Sequence, residues 1–121
     1  MIEADAADRR ILYSLLSPID AELRFFDSAE SYLESIQATS LDCLITDAEL
    51  PGMSGLELLR LLRRSKAPPP VILLGEEADV RAAVTAMREG AADFIEKPHV
   101  DVSILRRVIY LLDRPRAKSV H

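Results

Sequence analysis

Cysteine is almost missing from this chain of 121 residues, which carries only Cys43. One thiol makes no internal disulfide, so the fold has to be held by apolar burial, and Cys43, inside an apolar run, reads as a small core residue. Long hydrophobic stretches are missing too. No run approaches the roughly 20 apolar residues of a membrane span. Met1-Ile2-Glu3-Ala4-Asp5 is acidic, with neither a basic n-region nor an apolar h-region, so no signal peptide is read and a cytoplasmic location is expected. Excess positive charge is absent: the net charge is -5, which predicts repulsion from nucleic acid and no direct binding to it by this chain. Arg60, Arg63, Arg64 and Lys66 do cluster, but cations at the end of a helix are favoured by its macrodipole, and the cluster reads as a solvated face. Internal repeats are lacking, and Pro68-Pro69-Pro70 is the one biased segment.

What remains is the composition of one globular domain, 49% hydrophobic and 29% charged, long enough to bury a core without staples. Strand-length apolar runs occur at Leu23 to Phe26, Leu41 to Thr46, Val71 to Leu74 and Asp93 to Ile95. Helical patterns separate them. The first spans about Ala6 to Leu16, with Asp5 as N-cap and Ile11, Leu12, Leu15 and Leu16 inward. The second presents Ala29, Tyr32, Leu33 and Ile36. The third starts at Ser54 and Glu57, a capping box, with Leu56, Leu59 and Leu62 inward. The fourth opens near Asp79, turns Val80, Ala83, Val84 and Met87 inward, and ends at Gly90 in a left-handed cap. The fifth covers about Val102 to Leu112, with Leu105, Val108, Ile109 and Leu112 inward. Alternation of this kind argues for a parallel sheet covered on both faces. The first strand is the weak point, because only Met1, Ile2 and Glu3 precede the first helix.

Two strand ends carry the chemistry. Ile45-Thr46-Asp47 leads into Leu50-Pro51-Gly52-Met53-Ser54-Gly55, which predicts an exposed carboxylate, a candidate nucleophile, at the mouth of a strand. Asp93-Phe94-Ile95-Glu96-Lys97-Pro98 ends another strand with a lysine. Taken alone, Asp47 is a loop cap and Lys97 a solvated charge. In a doubly wound sheet, however, ligands collect beyond the carboxyl ends of the strands, where Glu3, Asp47, Gly75 and Lys97 all fall. Phosphorylating a carboxylate needs an acid, a divalent cation and a fixed positive group, and Asp47 and Lys97 supply the first and last.

These segments, with Gly90-Ala91-Ala92 before the second, resemble the receiver domain of two-component response regulators, most closely the FixJ-like branch. The resemblance implies a flavodoxin-like (CheY-like) α/β fold, a doubly wound five-stranded parallel sheet of order 2-1-3-4-5, here with a shortened first strand. It implies that Asp47 accepts a phosphoryl group from a histidine kinase, that Lys97 contacts that phosphate, and that Lys97-Pro98 is a cis bond. It also implies a Mg²⁺ site drawn from Glu3, Asp47 and Glu49, weakened because Ala4 stands where the family carries an acid. Glu49 falls where family members tune the lifetime of the phosphorylated state, though a solvated loop acid reads equally simply. Gly75 replaces the hydroxyl of the family's switch residue, whose aromatic partner is Phe94, so coupling from phosphate to the fourth helix should be weak. Glu76 and Glu77 add negative charge nearby. His99 and His121 carry no ligand signal.

Two mechanisms stay open: a working phosphoreceiver in phosphorelay signalling, and a degenerate receiver that binds a protein partner without phosphate. An aspartyl phosphatase would want a second acid two residues after the nucleophile, a spacing Glu49 occupies, but Leu50-Pro51 fits a turn and a cap domain is lacking, and a flavin site would want a hydroxyl-rich loop after the first strand, so no enzyme is expected. The resemblance further implies a homodimer through the fourth and fifth helices, around Val80, Arg81, Val84, Ile109, Tyr110 and Arg114. On this reading residues 1–113 form the receiver and 114–121 a linker or tail, with a DNA-binding effector and a role in transcription regulation expected outside this chain.

Overall fold

Adjacent residues along each central strand enter opposite cores, which is the physical basis of a layered α/β/α arrangement. A computed structural model of the chain describes Ile2 and residues 6–18, 25–35, 43–65, 68–75, 80–97 and 102–113. The helices are α1 (Ala6–Leu16), α2 (Ala29–Ser35), α3 (Gly55–Leu62), α4 (Val80–Arg88) and α5 (Val102–Asp113), and the strands β1 (Leu44–Asp47), β2 (Val71–Gly75) and β3 (Asp93–Glu96). The strands run parallel in the order β1-β2-β3, with Leu44 opposite Val71 and Ile72 opposite Asp93. Ile2 extends the sheet by single parallel bridges to Thr46 on one side and Phe26 on the other. The spatial sequence Phe26, Ile2, β1, β2, β3 is that of a 2-1-3-4-5 sheet. Its first two segments contribute bridges rather than ladders among the described residues.

Leu44, Val71 and Leu73 join Ile2, Ala29, Tyr32, Leu58, Leu59, Leu62 and Ala86 in one core, beneath α2, α3 and α4. Ile45, Ile72 and Leu74 point the other way, into a core with Leu12 and Leu16 of α1 and Ile104, Val108 and Leu111 of α5. Every residue of β1 and β2 is buried, as expected of strands covered on both faces. Cys43 is half-buried beside the second core, less enclosed than its run suggests.

Local signals hold at several ends. Ser54 Oγ accepts from Glu57 N at 3.1 Å while Glu57 Oε1 accepts from Ser54 N at 3.1 Å, the reciprocal pair that starts α3. Gly90 takes φ +97° after α4, the left-handed cap its position required. Arg60 and Arg63 form exposed ion pairs with Glu89 at 3.4 and 3.7 Å, consistent with a solvated basic face.

Three helix faces depart from expectation. On α4, Val80, Val84 and Met87 face solvent, Val80 at 69% exposure, while Ala86 is fully buried. Alanine permits close approach of this helix to the sheet, and the larger side chains are turned out. On α1, Ile11 is exposed where Leu12 and Leu16 are buried, and on α5 Ile109 is exposed where Ile104, Val108 and Leu111 are buried. In both, residues at i and i+4, and on α5 also i+7, fill the narrow strip against the sheet, and a neighbour one position off lands outside. On α3, Leu58 is buried and Leu56 half-buried. The Asp5 and Asp79 helix starts, the Lys97-Pro98 bond and the Leu41 end of the β1 run lie outside the described residues.

Ile2→Ala should cost about 2 to 5 kcal/mol of unfolding free energy in urea, because a fully buried side chain at a two-sided bridge leaves a cavity. On α4 the observed face predicts that Ala86→Leu loses about 1 to 3 kcal/mol by overpacking, whereas Val84→Ser stays within about 0.5 kcal/mol of the unsubstituted chain in the same assay. The reverse order of those two would mean that α4 is rotated.

Candidate functional site

Parallel register brings the candidate residues to one edge. Asp47 closes β1 opposite Leu74, Gly75 closes β2 opposite Glu96, and Lys97 follows β3 directly. The backbone of Asp47 is fixed on the far side by its N–H, which donates to Ile2 O at 3.2 Å. Its carbonyl accepts from Thr46 Oγ1 at 3.1 Å.

The side chains meet across fifty residues of sequence. Lys97 Nζ lies 3.0 Å from Asp47 Oδ1 and donates to Oδ2 at 3.1 Å. Asp47 is not the exposed acid that its strand-end position suggested, since its side chain is 6% exposed and that of Lys97 26%. Lys97 lies against it, and a buried carboxylate requires such a cation. Among the described residues, Oδ1 is buried and accepts no hydrogen bond, with the Lys97 ammonium as its ion-pair partner. Glu49, two residues on, is exposed on the loop. Glu3, Ala4, Glu76, Glu77 and His99 lie outside the described residues, and among the described residues no three His, Cys, Asp or Glu side chains gather into a metal cluster.

Gly75 and Phe94 form a second contact. A Cβ built on Gly75 would collide with Phe94 Cζ and would stand 2.8 Å from Cε1, so the ring occupies the space a side chain would need. Phe94 is half-buried and packs on the core that contains Leu73 and Ala86. The two residues singled out from the sequence are therefore in direct contact, with the ring seated where a hydroxyl-bearing side chain would begin.

One residue of the site region escaped the sequence reading. Glu30, on the first turn of α2, accepts from Met53 N through Oε2 at 2.9 Å, and that hydrogen bond holds its carboxyl below the usual carboxylate range. Glu30 near a helix start looks like a routine response to the macrodipole, and the signal that could have drawn attention to it was Gly52, which takes φ +77° beside it.

The response regulator receiver domain model matches residues 1–109. The chain belongs to that family. It is 37% identical over 101 residues to the transcriptional regulatory protein FixJ of Bradyrhizobium diazoefficiens, covering 84% of this chain and 49% of FixJ. It is 39% identical over 114 residues to FixJ of Azorhizobium caulinodans, covering 94% of this chain and 54% of that protein. This receiver thus spans about half the length of the curated relatives it matches. Among solved structures, full-length FixJ from B. japonicum superposes with a TM-score of 0.81 at 35% identity, covering 98% of this chain and 59% of that one. A receiver protein from Pseudoalteromonas atlantica gives 0.81 at 34% identity, with 93% of each chain covered. The receiver is a CheY-like module of two-component signal transduction, a family whose members interact with histidine kinases and typically bind Mg²⁺ at the phosphorylation site. No helix among the described residues is long and apolar enough to cross a membrane.

The Asp47–Lys97 contact makes a measurable prediction. Lys97→Met should lower stability by about 1 to 3 kcal/mol, a magnitude already reduced for the partial exposure of the lysine, because it strands a buried carboxylate. Asp47→Asn should remove most of that penalty. A double-mutant cycle read by urea unfolding is expected to give a coupling of about 0.5 to 3 kcal/mol, and a coupling of zero would mean that the pair is solvated.

Proposed function

We propose that Asp47 is the phosphoacceptor of this receiver and Lys97 the fixed positive group that contacts the phosphoryl oxygens. One observation carries this reading: an ammonium within 3.1 Å of both oxygens of a buried strand-end carboxylate. A fixed cation of this kind is worth more in a water-poor site than in solvent, and it needs no reorganisation as charge develops. The module is a switch that takes a phosphoryl group from a histidine kinase in the cytoplasm, rather than an enzyme with turnover of its own.

Oδ1 of Asp47, ion-paired with Lys97 but accepting no hydrogen bond among the described residues, is the kind of hard oxygen donor that Mg²⁺ takes. Glu3 and Glu49 are the further acids we assign to that site, with Ala4 leaving it one carboxylate short. When bound, the ion would neutralise the oxygens of the entering phosphoryl group. Asp47 offers the accepting oxygen, Lys97 orients it, and Glu49 adds charge at the rim.

The seating of Phe94 over Gly75 favours a second reading, in which the receiver engages its partner without phosphate. With no side chain at Gly75 to compete for the space, the ring has no reason to move when Asp47 changes. The readout surface would then be permanently set. In either reading that surface is the outer side of α4 and α5, where Val80, Arg81, Val84, Ile109 and Tyr110 are exposed and where we place a homodimer contact. A DNA-binding effector beyond the linker at 114–121, and a role in transcription regulation, complete the proposal.

Acetyl phosphate and Mg²⁺, with acid-labile phosphate followed by intact mass, test the assignment directly. We expect slow labelling of the unsubstituted chain at Asp47 and none of Asp47→Asn. Ala4→Asp should raise Mg²⁺ affinity roughly tenfold, equivalent to ~1.4 kcal/mol, and speed the labelling. Gly75→Thr should displace the Phe94 ring, visible as a shift of its aromatic resonances, with little change in labelling rate. Rapid Mg²⁺-dependent labelling of the unsubstituted chain, accompanied by movement of Phe94, would sink the phosphate-independent reading.

A further inference from the structure

The loop from Ala48 to Ser54 begins at the residue after Asp47, and its base is anchored by the sheet. Ala48 N donates to Leu74 O at 2.7 Å, and Gly55 N donates to Ala48 O at 2.9 Å. Its far limb is anchored elsewhere. Leu50 and Met53 lean on the core under α2 and α3, and the Met53 amide donates to Glu30 Oε2 on α2. Gly52 makes that contact feasible: its φ of +77° suits glycine, and a Cβ there would stand 2.6 Å from Glu30 Oε2. The Asp47 side chain is 6% exposed, and this loop continues directly from its backbone.

We propose that Glu30 is a positioning residue for phosphoryl transfer to Asp47, acting through its hydrogen bond to Met53 N, which fixes the backbone of the loop beside the acceptor. The inference rests on the reading of Asp47 as phosphoacceptor. In that step a carboxylate oxygen of Asp47 bonds to phosphorus as the P–O bond of acetyl phosphate breaks, and acetate leaves with the bonding electron pair. The chain has to hold the acceptor and its surroundings in one geometry while this happens, and small displacements are costly to such alignment. Packing of Leu50 and Met53 leaves the backbone between them without a directional constraint. Glu30 adds that constraint from a separate helix, and with its carboxyl held below the usual range it is ionised and accepting at neutral pH.

The test compares the unsubstituted chain with Glu30→Ala and Glu30→Gln, each treated with acetyl phosphate and Mg²⁺, and follows acid-labile phosphate on Asp47 together with exchange of the Met53 amide by NMR. Glu30→Ala is expected to slow labelling by roughly threefold to tenfold and to speed Met53 exchange by about tenfold, with the melting temperature little changed because the residue is exposed. Glu30→Gln keeps an oxygen that can accept from Met53 N, so it should stay within about twofold of the unsubstituted chain in both measurements. Equal labelling of all three chains overturns the role of Glu30 and leaves Asp47 as acceptor. A Glu30→Gln rate as low as that of Glu30→Ala overturns the hydrogen-bond basis. Labelling of none of the three overturns the acceptor reading itself, and this inference with it.

Discussion

A carboxylate placed at the end of a fully covered strand has to be met by a cation, and the receiver meets it from the opposite side of β2. Lys97 reaches Asp47 only because β1, β2 and β3 are in parallel register, with their carboxyl ends level. That register in turn requires β1 and β2 to satisfy two cores at once, one under α2, α3 and α4 and one under α1 and α5. A slip by one residue would exchange the two sets of side chains and carry Asp47 away from its partner. The chemistry and the packing therefore share one constraint.

Around that pair the site is assembled from short-range devices of very different legibility. The Ser54–Glu57 capping box and the left-handed Gly90 are local, set by residues three or four apart, and both could be read from the chain alone. The pairing of Asp47 with Lys97 was legible for another reason: the rule that parallel strands gather their carboxyl ends converts a pattern of runs into a meeting point. Burial of Asp47 was not legible, since a strand-end position leaves open how closely Lys97 and the neighbouring chain cover the side chain. Glu30 was missed on the same ground, because a contact between α2 and the Gly52–Met53 turn leaves no periodic trace.

The helix faces failed where hydrophobicity and size give different answers. On α4 the most apolar stripe, Val80, Val84 and Met87, was assigned inward, yet the sheet receives Ala86. Proximity to a twisted sheet selects for small side chains, and scales of hydrophobicity rank alanine low. Ile11 and Ile109 repeat the error by one position each, where a wide apolar arc makes the narrow buried strip ambiguous. Gly75 and Phe94 were paired through the family resemblance, but the seating of the ring in the space of the missing side chain had no sequence signal, because an absent side chain has no pattern.

Attachment of α4 through Ala86, its one fully buried residue, also bears on how freely that helix can be repositioned. A buried methyl contributes only about 0.8 kcal/mol, so a helix attached chiefly through such groups gives up little when it tilts or frays. The ridges that would lock larger side chains into a single arrangement point into solvent instead. Rigidity is therefore distributed unevenly, high along the strands that carry Asp47 and low along the surface most open to a partner, so that a modest docking energy suffices to choose the orientation in which α4 is held.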